Sequence, residues 1–82
     1  MMRIRRLESD SRWFRRPRYA VQLAGPDGDP QVDVTTTTPR TVLIKDCGVH
    51  STDSYDWVRA ADHAFAGGSR AWVESPFIDP SR

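Results

Sequence analysis

The chain has one cysteine, one lysine and no long apolar run, and each shortage excludes something. Cys47 alone cannot close an intramolecular disulfide, so the fold must stand on its core, and a reducing compartment is its natural setting. No stretch approaches the ~20 apolar residues that span a bilayer. The basic N-terminus is not followed by the apolar segment of a secretory leader. The expectation is a cytoplasmic protein that does not engage a membrane. Lysine is scarce beside eleven arginines, and two glutamates stand beside nine aspartates, a bias that follows GC-rich coding. That background suggests an actinobacterial gene or a phage of such a host.

What is present is enough for one small fold. Eighty-two residues, 38% of them hydrophobic, are read as a single domain over 1–82 with a basic N-terminal segment, 1–18. A chain this short buries only around 60% of the surface that its unfolded form exposes, so its core is small. Eight aromatic residues (Trp13, Phe14, Tyr19, Tyr55, Trp57, Phe65, Trp72 and Phe77) set it apart from disordered sequences. The net charge of +1 hides a polarity: seven arginines against two acids give residues 1–18 a net +5, and five cations against nine acids give the remainder −4.

Periodicity predicts an α+β fold. Met2 and Ile4 alternate with Arg3 and Arg5 as in a half-exposed strand, and Tyr19, Val21 and Leu23 do the same from about Arg18. "GPDGDP", residues 25–30, is rich in turn formers, and Val32 and Val34 resume the alternation beyond it, so a hairpin is expected. "TVLIKD" after Pro39 is the most apolar stretch and reads as a further strand, placed at the centre of the sheet. "STDSYDWVRAADHAFAGG" is the helix: Trp57, Val58, Ala61, Ala64 and Phe65 share one face, opposite Asp56, Arg59, Asp62 and His63. Ser51, Thr52 or Asp53 would cap its start, and Gly67-Gly68 would end it in the left-handed conformation. "RAWVES" would be a final strand, giving a β-β-β-β-α-β order: a small antiparallel or mixed sheet with one amphipathic helix on one face.

Catalytic and metal chemistry find little support. Cys47 and His50 form a C-x-x-H pair, but a structural zinc site needs four ligands, and His63 would have to reach back about 15 Å along the helix. The plainer reading is a small, buried thiol beside a histidine at the start of the helix. As a nucleophile pair, Cys47 and His50 lack an identifiable orienting group and an oxyanion-stabilising loop. The aspartates among the glycines of 25–30 would repel phosphate, and Asp27, Asp29 and Asp33 lack calcium-loop spacing. No enzyme activity and no cofactor are expected, and no stretch carries a family motif.

That leaves "RIRRLESDSRWFRRPRY", residues 3–19, with seven arginines and three aromatics. The candidate binding residues are Arg12, Trp13, Phe14, Arg15, Arg16 and Arg18. Arginine and aromatic side chains concentrate where protein interfaces carry their energy. The leading expectation is therefore a small non-enzymatic protein-binding module, an accessory protein of a phage or mobile element that binds and modulates a host protein. The alternative is nucleic-acid binding, with arginines on phosphates and Trp13 and Phe14 stacked on bases. Against it, the sequence pI near 8.0 falls below the ~9 usual for such domains. Arg3 and Arg5 could instead simply line the outer face of a strand. A homodimer formed through an open sheet edge is compatible with both expectations.

Overall fold

The turn formers at 25–30 close a hairpin, as their chemistry predicts. Gly28 donates its N–H to the Gly25 carbonyl across Pro26-Asp27 (2.9 Å), and Gly28 takes a φ of +82°, which a side chain would strain. The computed structural model describes residues 1–8 and 16–77. Within them, β1 (Met2–Leu7), β2 (Arg18–Ala24) and β3 (Pro30–Thr36) form an antiparallel sheet in the order β1-β2-β3. Two helices follow, α1 (Pro39–Lys45) and α2 (Ser51–Ala66), so the class is α+β.

Register divides the side chains cleanly between two faces. Ile4 lies opposite Val21, which lies opposite Val34, so all three point to the helix side, together with Met2, Leu23 and Val32. Arg3, Gln22 and Asp33 are likewise aligned, and with Arg5 and Arg18 they point the other way. The helices lie over β1 and β2. Ile4, Tyr19 and Val21 accordingly form the core with Leu43 and Ala61, flanked by Met2, Val42, Cys47, Val49, Trp57, Val58 and Val73. β3 extends beyond this cover, and Val34 remains 37% exposed.

The expected central strand at 41–45 is instead helix α1. Pro39 lacks a backbone N–H and so suits the first turn of a helix, where that donor has no partner. From there the apolar residues fall at helical spacing. Pro39 and Leu43 are buried, and Val42 and Cys47 pack against the core beside them. A strand would have put Leu43 and its neighbours Val42 and Ile44 on opposite faces, and a helix on the hairpin buries Leu43 completely. The single expected helix is therefore joined by a second one, and among the described residues the sheet has three strands.

α2 forms where expected, with three differences. Its cap is His50, whose Nδ1 accepts the Thr52 N–H at 3.2 Å, in place of Ser51, Thr52 or Asp53. Gly67 has a φ of −80° and only Gly68, at +87°, is left-handed. Asp62, expected on the outer polar face, turns toward the sheet. Ser54 is fully buried between the helices, donating to the Ser51 carbonyl (2.6 Å) and accepting from Arg40 Nε (3.0 Å). The expected final strand over "RAWVES" is reduced to one bridge: Val73 exchanges both backbone hydrogen bonds with Ile4, at 2.7 and 3.0 Å, on the outer edge of β1.

Candidate functional site

The bridge at Val73 decides where the neighbouring side chains go. Val73 faces the core, so Trp72 falls on the opposite side of the sheet, the side without helices. There two guanidinium groups stack over its ring, Arg3 at 4.5 Å and Arg5 at 4.8 Å from the ring centroid. Arg5 also donates to the Arg70 carbonyl at 3.4 Å. A hydrogen-bonded row crosses all three strands on this face. Arg3 Nε donates to Gln22 Oε1 (2.8 Å), and Gln22 Nε2 donates to Asp33 Oδ1 (3.1 Å). A shallow groove of about 360 Å³ opens beside the row, lined by Met1, Arg3, Gln22, Leu23, Val32 and Asp33.

Of the candidate residues named from sequence, Arg12, Trp13, Phe14 and Arg15 lie outside the described residues. Arg16 and Arg18 are exposed. Arg18 opens β2 opposite Leu7, on the same helix-free face as Arg3 and Arg5. The face thus carries Arg3, Arg5 and Arg18 with Trp72 at the β1 edge, and Asp33 lies across the sheet on β3. Sequence reasoning placed Arg3 and Arg5 on an outer strand face but missed Trp72. The alternation in "RAWVES" carried that signal: with Val73 turned inward, Trp72 had to turn outward.

The remaining arginines of β1 and its surroundings are engaged near α2. Arg6 binds Asp62 at 3.2 Å and lies 4.8 Å from the Phe65 ring centroid, while Arg70 covers the same ring at 4.5 Å and pairs with Glu8. Asp62 also accepts the Tyr19 hydroxyl at 2.6 Å. Burial raises the Tyr19 phenol well above the ordinary tyrosine range, and the bond to Asp62 and its negative charge add to this, against an opposing contribution from Arg6. Arg40 stacks over Tyr55 at 3.5 Å, between the two helices.

Cys47 and His50 are separated in role. His50 caps α2, and Cys47 packs against the core, half-buried. Burial, with a smaller contribution from Asp46, pushes the Cys47 thiol above its usual value, the opposite of an activated nucleophile. Cys47 is therefore expected to react slowly with a disulfide reagent at neutral pH and to react fully once urea unfolds the chain. Equal rates in the two states, followed by thiol titration, would contradict this. Among the described residues, no group of three or more His, Cys, Asp or Glu could hold a metal ion.

Guanidinium groups also meet Phe65 and Tyr55, but Arg6 and Arg70 at Phe65 are ion-paired, whereas among the described residues Arg3 and Arg5 on the helix-free face form no ion pair. No protein-family model, no curated protein and no solved structure matches the chain.

Proposed function

We propose that this protein is a small non-enzymatic binding module whose contact surface is the helix-free face of the sheet, and that its partner is a protein. The single observation that carries the reading is the stacking of both Arg3 and Arg5 over the Trp72 ring. Arginine and tryptophan dominate interface energetics because they combine large contact area with hydrogen bonding, and a guanidinium already stacked loses little freedom on binding. Arg18 extends the positive surface along β2. A partner patch of carboxylates around an apolar or aromatic centre fits this face. Arg12, Trp13, Phe14 and Arg15 follow β1 and precede Arg18 in the chain, so they are proposed as a second part of the same contact region. The GC-rich composition suits an accessory protein of a phage or mobile element, with a host protein as the target.

The test is capture from an actinobacterial lysate, with and without nuclease, by the wild-type chain and by Arg3→Glu. A stoichiometric protein that survives nuclease and is lost with Arg3→Glu, at an unchanged circular dichroism spectrum, is the expected result. Capture unaffected by Arg3→Glu would remove this face from the interface. The second reading, nucleic-acid binding, is favoured by the same three arginines on one face. It requires capture that vanishes with nuclease and affinity that falls with salt, by a slope of about 0.9 per neutralised phosphate on duplex.

A further inference from the structure

We infer that a second copy of this chain adds to the outer edge of β3, giving a six-stranded antiparallel sheet with Val34 on the two-fold axis. The two edges of the sheet differ. The outer edge of β1 is bridged by Val73, whereas among the described residues nothing pairs with the outer edge of β3. Edge strands are commonly blunted by lysine, arginine, proline or a strong bulge. Between Val32 and Thr36, β3 has a single charge, Asp33, and no proline or bulge, and every other position is β-branched. The register irregularity and Pro30 both lie at its start, outside this stretch.

Hydrogen-bond parity fixes which groups are offered. Ile4 bonds outward to Val73, so Ile4 and Val21 are a non-hydrogen-bonded pair, and Val21 directs its backbone groups to Val34. Val32, Val34 and Thr36 therefore bond inward to β2, and Asp33 and Thr35 present their N–H and C=O groups outward. A symmetric antiparallel partner must match outward residues with outward residues. Centring the axis on Asp33 would set two carboxylates face to face, which is destabilising. Centring it on Val34 pairs Asp33 with Thr35 of the partner subunit, a carboxylate beside a hydroxyl donor. The same register packs Val34 against its own copy. Among the described residues Val34 is the one large hydrophobic side chain of a strand that is left exposed.

Nothing described obstructs this docking. α1 packs mainly on β2 and α2 on β1, which leaves Val34 on the helix side of β3 exposed to a neighbouring β3. The two-fold axis stands perpendicular to the sheet, which puts all four helices on one side. The edge adjoins the proposed contact face, since Asp33 belongs to both, but the inference does not depend on that reading.

The experiment is sedimentation equilibrium of the wild-type chain from micromolar to millimolar concentration, beside Thr35→Pro and Val34→Lys. Thr35→Pro removes an outward N–H and the Thr35 hydroxyl but no backbone bond to β2, and Val34→Lys sets two ammonium groups on the axis. The wild type is expected to reach twice the monomer mass, and both variants to remain monomeric with wild-type circular dichroism. Val34→Cys adds a test that does not depend on either variant's fold. Mild oxidation is expected to give a covalent dimer through residue 34, whereas the wild type, with Cys47 alone, gives none. A wild-type chain that stays monomeric throughout, a dimer that survives Thr35→Pro, or failure of Val34→Cys to cross-link would overturn the inference.

Discussion

Replacing Leu43 with alanine is expected to lower the stability of the fold by about 2–5 kcal/mol, the range for a fully buried leucine whose cavity cannot collapse completely. Native proteins are stable by only about 5–15 kcal/mol, and short chains fall toward the lower end, so a large fraction of the total is at stake. Leu43 is chosen because it touches both halves of the fold, lying in α1 and packing with Ile4, Tyr19 and Val21 of the sheet and Ala61 of α2. The comparison variant is Ile44→Ala. In helix α1, Ile44 is only half-buried and its loss is expected to be clearly smaller. Urea denaturation midpoints measure both. Equal losses at 43 and 44 would mean that the segment buries both faces, as a central strand does, and that the helix is wrong.

The second large effect is expected at Asp62. Asp62→Ala leaves the buried Tyr19 hydroxyl without its acceptor and Arg6 without its ion-pair partner, at a cost of about 1–3 kcal/mol from the unpaired buried group. Adding Tyr19→Phe to Asp62→Ala is expected to recover part of that loss, because a phenyl ring has no donor to strand. A double variant as unstable as the sum of the singles would remove the Tyr19–Asp62 bond from the account. The same pair gives a pH dependence. The folded chain keeps the Tyr19 proton at pH values where the unfolded chain releases it, so the unfolded state binds fewer protons. Stability should then fall as pH rises through the ordinary tyrosine range, near pH ~10, and Tyr19→Phe should flatten that fall between about pH 9 and 11.

The hairpin was legible because two local signals agreed. Alternation at Tyr19, Val21, Leu23, Val32 and Val34 gave the faces, and Gly25 to Pro30 gave the turn. α2 was legible because its apolar face runs over several turns. Residues 41–45 were not, since a short β-branched apolar run fits a buried strand as well as a buried helix. What decides between them is the place available for Leu43 over β1 and β2, which no local pattern contains. Asp62 was misplaced for a related reason. The helical wheel puts it among polar residues, and only the position of Tyr19 across the packing shows that it faces inward. The candidate site was half legible: the arginines of β1 were visible as an outer face, but Trp72 joins them only through a pairing between distant parts of the chain.

That pairing has a consequence for the order in which the molecule is made. Arg5 and Arg70, joined by a hydrogen bond, are 65 residues apart in sequence. During synthesis β1 emerges first, yet the residues that close its outer edge are added only after both helices. At about 5–20 residues per second, β1 waits several seconds for Trp72 and Val73, far longer than the microseconds in which a hairpin forms. The nascent chain therefore passes through a stage in which the sheet exists and both of its edges are open. A chain released at Gly68 would remain at that stage, and self-association at β1 is the hazard it would meet.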